Sequence, residues 1–258
     1  MKTFLEIYDY RQMIFSLVRK DLRGRYKGSV LGFLWTFINP LLQLVVYTIV
    51  FSFILPTSID KYYLYLFVGL IPWIFFSSSI TGGSSSIVAQ KDLVKKIYFP
   101  RQVIPISYVT SCFVNMLLCF VVIFIVIIIS GIGVNPVALL CLPIIMIVEY
   151  ILALGMALLA SAITVYFRDL EHILGILTMA WMYMTPIMYD KSIVPEELLP
   201  VFNLNPMTHV IECYRAVLYY KKVPELESLL SSLGLGILFL VLGHFVFLKL
   251  QKHFAEEL

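Results

Sequence analysis

Six stretches of this chain leave it almost no choice of fold. Residues 31–55, 62–88, 103–130, 137–166, 173–189 and 229–248 are predominantly apolar, each near or beyond the roughly 20 helical residues that cross a hydrocarbon layer. Within that layer the backbone has no water to bond, and a helix satisfies its N–H and C=O groups internally. A composition of 60% apolar and 14% charged residues lies far from that of soluble domains. The expected fold is therefore an all-α polytopic membrane protein with six transmembrane helices. The whole chain, 1–258, reads as a single transmembrane domain: 1–30 precede the spans, 31–248 hold them, and 249–258 form a tail.

The joints are as informative as the spans. Gly131-Ile-Gly-Val-Asn-Pro136 is a turn signal between the third and fourth runs. Thr81-Gly-Gly-Ser-Ser-Ser86 is polar but fits within a span, because helical hydroxyls bond back to their own backbone and small residues admit a close neighbour. The stripes Ala153/Ala157/Ser161 and Ser78/Gly82/Ser86 suit helix packing, either within one protomer or between two. With the amino terminus in the cytoplasm, the inner segments hold fourteen Lys/Arg and the outer ones five. That bias places both termini in the cytoplasm. No secretory signal is expected, since the first thirty residues carry seven Lys/Arg and no continuous apolar core.

Three segments are not spans. Residues 89–99, between the second and third runs, form a short amphipathic pattern. Leu93, Val94, Ile97 and Tyr98 share one helical face and Lys91, Asp92, Lys95 and Lys96 the other, with Pro100 stopping the helix after Phe99. A docking surface and a charged turn that merely sets topology fit this pattern about equally. Residues 3–23 have a helical period, with Phe4, Ile7, Ile14 and Val18 opposite Glu6, Gln12, Arg19 and Lys20, which reads as an amphipathic helix on the inner leaflet. It leads into the basic cluster Arg23, Arg25 and Lys27. Residues 190–228 carry four prolines. There Asn205 caps a helix that starts at Pro206, and Met207, Val210, Ile211, Tyr214, Val217 and Leu218 make an apolar stripe. Two short helices on the outer face are expected.

Sites for chemistry are scarce. No Gly-Lys dipeptide occurs, so a phosphate-binding loop is excluded. The four cysteines lack metal spacing, and the four histidines are scattered, so neither metal nor disulfide is expected. Glu149 is the one acid deep in a span, read first as a carboxyl hydrogen-bonded between helices and second as a functional group.

Arg23-x-Arg-Tyr-Lys-Gly-Ser-x-Leu-Gly-x-Leu-Trp35, Asn39-Pro40 and Gly69-Leu-Ile-Pro-Trp-Ile-Phe-Phe76 strongly resemble the permease subunit of ATP-binding-cassette polysaccharide exporters. These type-two exporters move lipid-linked O-antigen, capsule or teichoic acid chains. The likeness continues through Leu93-Val-Lys-Lys-Ile-Tyr-Phe-Pro-Arg101, Tyr166-Phe-Arg-Asp169, Thr185-Pro-Ile-Met-Tyr189 and Leu204-Asn-Pro-Met-Thr208 with Tyr214-Arg215, in order along the whole chain.

The resemblance implies a homodimer in a bacterial inner membrane, seated on two separate ATPase subunits that bind ATP and Mg, with no cofactor held by this chain and no nucleic-acid partner. It implies that Lys91, Asp92, Leu93, Val94, Lys95, Lys96, Ile97, Tyr98, Phe99, Pro100 and Arg101 form the coupling helix in a cleft of the ATPase, beside a surface-lying amino-terminal helix. Arg23, Arg25 and Lys27 then lie where a lipid pyrophosphate would reside, although simple anchoring explains them too. Trp35, Tyr47, Trp181 and Tyr183 offer flat apolar faces to a sliding sugar polymer, while interfacial anchoring remains open for any one of them. Phe202, Met207 and Tyr214 suit a dry outer gate. The chain reads as a permease and not as an enzyme. Its rivals are the same fold carrying teichoic acid, a drug or a small lipid, and a membrane-embedded transferase, for which Asp169, Glu171 and His172 form the only near-cluster.

Overall fold

A computed structural model describes residues 2–24, 28–54 and 59–258, helices joined by turns and irregular loops without a strand among them. In chain order the helices are α1 (Lys2–Asp9), α2 (Arg11–Gly24), α3 (Trp35–Ile49), α4 (Tyr62–Ala89), α5 (Lys91–Lys96), α6 (Val103–Ser130) and α7 (Pro136–Leu139). There follow α8 (Leu142–Thr164), α9 (Leu170–Tyr183), α10 (Leu199–Leu204), α11 (Pro206–Leu218), α12 (Leu226–Leu250) and α13 (Phe254–Glu257). Local chemistry sets several ends. Gly131 closes α6 at φ 67°, a left-handed cap that a side chain would strain. Asn135 Oδ1 accepts from Val137 N–H at 3.0 Å, with Pro136 in the first turn.

Five helical stretches are long and apolar enough to cross a membrane: Gly32–Ser52, Tyr62–Ala89, Val103–Ser130, Pro136–Thr164 and Leu226–His253. The run expected at 173–189 differs. It is helical only within α9, whose 14 residues span about 21 Å against a hydrocarbon core of about 30 Å. The cause is local. Thr185 Oγ1 donates back to the Trp181 carbonyl at 2.9 Å, and Pro186 has no N–H with which to continue the ladder. The chain continues non-helically to Tyr189. Tyr166, just before α9, donates to the Leu250 carbonyl at the end of α12 (2.8 Å). At the opposite end of the bundle, Tyr62 donates to the Met188 carbonyl (2.8 Å) and Tyr65 to the Tyr189 carbonyl (3.1 Å).

Buried α4 is the centre of the bundle, and α8 packs between it and α12. Glycines set how closely they approach. A Cβ at Gly155 would overlap the backbone of Leu240, and one at Gly243 the carbonyl of Gly155, so α8 and α12 meet backbone to backbone. The stripe Ala153/Ala157/Ser161 packs within the protomer, whereas in Ser78/Gly82/Ser86 only Ser86 is fully buried. Ala153, Ala157 and Ser161 are buried, a Cβ at Gly83 would stand 3.0 Å from that of Ala157, and Gly82 lies under the Tyr108 ring of α6.

The amphipathic stretch 3–23 is helical but divides at Tyr10 into α1 and α2. α2 is not free on a surface: it leans on α6, with its Asp21 carboxylate accepting from the Ser111 hydroxyl, while Tyr10 reaches the Tyr98 carbonyl at 3.5 Å. A second, smaller core closes this basic end, where Val94, Phe99, Val103, Val165, Phe247 and Phe254 meet Tyr10, Met13, Ile14 and Leu17.

Candidate functional site

The segment after α4 is helical only over Lys91–Lys96, shorter than the expected 89–99. Ile97 turns to φ −129° and ψ 136°, and this break redistributes the apolar face. Val94 and Phe99 are each 5% exposed and point into the second core, whereas Ile97 is 55% and Tyr98 96% exposed. Leu93 is half-buried, Pro100 and Arg101 are partly covered, and Lys91, Asp92, Lys95 and Lys96 face out. The segment thus presents an aromatic ring and an isoleucine amid lysines, anchored from beneath by Val94 and Phe99. A free aromatic at such a position has no role in the fold of the protomer.

The anchoring extends into the last helix. The Arg101 guanidinium donates to the Gln251 carbonyl and lies 5.9 Å from the Phe254 ring centroid, and Gln102 Nε2 lies 3.0 Å from His244 Nδ1. Arg168 Nη2 reaches the Glu257 carbonyl at 3.5 Å. Carbonyls left unpaired where helices end thus receive side chains from both loops at this end. A cleft of about 830 Å³ lies between Glu6, Tyr10, residues 94–102 and Leu248, Gln251 and Lys252. Sequence patterns missed this clamp, because its acceptors are backbone carbonyls.

Of the basic cluster, Arg23 is exposed at the end of α2, while Arg25 and Lys27 lie outside the described residues. The four aromatics expected to line a conduit are not equivalent. Tyr183 is exposed at the end of α9. Trp35 and Tyr47 are half-buried on α3, with Trp35 Nε1 donating to Ser29 Oγ at 3.0 Å. Trp181 is held edge-on to Phe76, 5.2 Å between centroids, and donates to Asn205 Oδ1 at 2.9 Å. Two of its hydrogen-bonding and ring faces are thereby committed to the protomer.

Two helices do occupy 195–217, as α10 and α11, but the apolar stripe of α11 turns inward. Met207 and Tyr214 are wholly buried in the main core, and of the three residues assigned to the gate only Phe202 is partly open. Val201 and Leu204 on α10 are exposed instead. Arg215, counted from the sequence among outer positive charges, is also buried. Its guanidinium donates to the Pro186 and Ile187 carbonyls at 2.5 and 2.6 Å and lies 3.5 Å from the Tyr65 ring centroid. Gly69 of α4 admits it, since a Cβ there would stand 3.3 Å from Arg215 Nη2. Arg215 therefore ties α11 to α4 and to the break after α9. Asp190 lies close by, accepting from Ser192 N–H at 2.9 Å.

Residues 12–219 match the family described as ABC-2 type transporter. The chain is 34% identical over 256 residues to "O-antigen export system permease protein RfbA" of Myxococcus xanthus, covering 98% of each. It is also 34% identical to the protein of that name from Klebsiella pneumoniae, over 94% of this chain and 93% of that one. To "Polysialic acid transport protein KpsM" of Escherichia coli it is 24% identical, over 83% and 84%.

Proposed function

The chain belongs to the ABC-2 type transporter family, and on that footing we propose that it is the permease subunit of an ATP-driven exporter of lipid-linked polysaccharide. It is a multi-pass membrane protein. The carrying observation is Tyr98, an almost fully exposed aromatic on a rigidly backed loop at the basic end. A separate ATPase subunit would seat Tyr98 and Ile97 in an apolar cleft, with Lys91, Lys95 and Lys96 at the rim. That subunit would hold ATP and Mg, leaving this chain without a cofactor.

Force applied at Tyr98 has a short path inward. Phe99 and Val94 press on the second core, and Arg101 pulls on the end of α12, which meets α8 backbone to backbone. Six crossings suit the proposal despite five long helices. The bonds of Tyr166 to Leu250 and of Tyr62 to Met188 tie the two ends of the 166–189 segment to opposite ends of the bundle. A short α9 completed by non-helical backbone buried against α4 meets the rule that irregular chain at membrane depth be covered by protein. Both termini then lie in the cytoplasm with the basic loops.

A second copy of the chain would complete the conduit, with exposed Tyr183 and the open faces of Trp35 and Tyr47 on its wall. Arg23, with Arg25 and Lys27, would attract the lipid pyrophosphate at the inner leaflet. The outer closure would fall to α10, with Phe202, Val201 and Leu204, held in place by a buried α11.

The test is Tyr98→Ser together with Ile97→Ser in membranes containing the ATPase subunit. Normal insertion with loss of both export and substrate-stimulated hydrolysis is expected. Export and stimulation at wild-type levels would remove the coupling role of this loop, and absence of export by the unaltered complex would remove the exporter reading.

A further inference from the structure

Between α3, α4 and α6, near the middle of the bundle, lies a cavity of about 150 Å³, room for about five waters at roughly 30 Å³ each. Apolar Ile71, Phe75 and Met116 line it together with Trp35, Asn39 and Asn115. Asn115 Oδ1 is buried without a hydrogen-bond partner, and no described residue bonds the Asn39 carboxamide. Cys119 Sγ donates to the Thr36 carbonyl at 3.4 Å, tying α3 to α6 at this level.

An uncommitted carboxamide oxygen buried beside a hole at membrane depth, that of Asn115, is costly, and the exposed carboxamide of Asn39 borders the same hole. A buried amide without a partner costs about 1–3 kcal/mol, and lipid tails offer nothing to bond. Polar side chains inside a membrane generally face a pathway or a bound group. What satisfies these two must both donate and accept, since each amide has an N–H₂ and a C=O. No charged side chain lines the cavity, so it has no means of selecting a phosphate or a carboxylate. Exposed Asn39 and half-buried Trp35 stand at its mouth, on the open side of α3.

We propose that this cavity is a subsite for one uncharged sugar ring of the transported chain. Asn39 and Asn115 would bond neighbouring hydroxyls, and the Trp35 indole would cover the apolar C–H face of the ring, the amphipathic contact for which aromatic side chains are suited. The subsite rests on the polysaccharide reading and deepens it: it gives a sliding polymer a register one ring deep. Contact is limited to two neutral amides and one ring face, so the grip stays weak enough to release.

The experiment uses the full-length chain with its ATPase subunit in lipid nanodiscs. The probe is a set of neutral oligosaccharides cleaved by mild acid from the surface polysaccharide of the source strain. Titration should give a saturable change in tryptophan fluorescence that disappears in Trp35→Phe. Asn39→Leu or Asn115→Leu should each weaken binding about five-fold, the loss of one hydrogen bond of about 1 kcal/mol. Should the leucine pair fail to insert, Asn39→Ser with Asn115→Ser withdraws both amides and carries the same expectation. No saturable change in the wild type, or an unchanged titration in the double variant, would mean that the cavity holds only water and would overturn the subsite. Loss of export in Tyr98→Ser with an unaltered Asn-pair titration sinks the subsite alone. Absence of polysaccharide export by the wild-type complex sinks the exporter reading.

Discussion

Tyr214 donates a 2.7 Å hydrogen bond to Glu149 Oε2 across the contact of α11 with α8, and both side chains are fully buried. Each explains the other. The one acid deep in a span is held by a tyrosine that sequence reasoning had placed in an outer gate. The bond locks α11 to the centre of the bundle, and the neighbouring Arg215 locks it to α4 and to the Pro186–Ile187 backbone.

Removing the tyrosine hydroxyl should therefore harm the protein more than altering the acid. Tyr214→Phe leaves both carboxyl oxygens unpaired and should destabilise by about 1–3 kcal/mol. Glu149→Gln keeps an acceptor for Tyr214 and should cost less than about 1 kcal/mol, with export unchanged. Unfolding in mixed micelles checks the order, and a double-mutant cycle should give a coupling of about 0.6–1.7 kcal/mol. Loss of export in a fully stable Glu149→Gln would show instead that the carboxyl group itself works in transport.

Tyr98 and Phe99 are adjacent and should behave as opposites. Phe99→Ala opens a hole in the second core and should cost about 3–5 kcal/mol. Tyr98→Ala changes an exposed side chain and should shift stability by no more than about 0.5 kcal/mol. Thermal unfolding of the two variants in detergent separates them, and equal destabilisation would contradict the orientation described.

Glycines of the last helix should divide by what faces them. A methyl group at Gly243 meets the Gly155 carbonyl, so Gly243→Ala must push α12 from α8, at about 1–3 kcal/mol or more. Gly234, on the same helix, has nothing near its missing Cβ, and Gly234→Ala should be neutral or stabilising by up to about 1 kcal/mol. Similar losses in both would show that helix propensity, and not close approach, governs this contact.

The loop around Asp190 should resist mild acid. Partial burial pushes its carboxyl group up, but hydrogen bonds from Ser192 and the charge of Arg215 outweigh this and hold it below the usual aspartate range. A depressed carboxylate contributes stability that is complete above the unfolded value and is lost as pH falls through the lower folded one. Hydrogen exchange of residues 190–205 should be equally protected at pH 7 and 5 and should loosen only below about pH 4. Asp190→Asn should abolish that acid step, and an unchanged step would assign it to another carboxyl group.

The number and place of the apolar runs were legible in the chain itself, because hydrophobic length is a local property that no partner alters. Five of the six runs appear as long helices within a few residues of where composition puts them, the first starting one residue late, at Gly32. The fifth run was legible in position only. Its helix stops where Thr185 bonds backward and Pro186 follows, and the remaining backbone is held by Tyr62 and Tyr65 from another helix.

Facing was what the tertiary structure decided. The stripe Met207–Tyr214–Leu218 is plain in the sequence, but an apolar stripe suits a core and a dry gate equally, and only packing against α4, α8 and α12 turned it inward. The loop that carries Tyr98 was found by pattern, yet the extended turn at Ile97 exchanged its faces, burying Phe99 and freeing Tyr98. Periodicity reports that a helix has two sides. Which side meets protein depends on residues far along the chain, such as Gly155 against Gly243 and Glu149 against Tyr214, whose pairing exists only once the helices have come together.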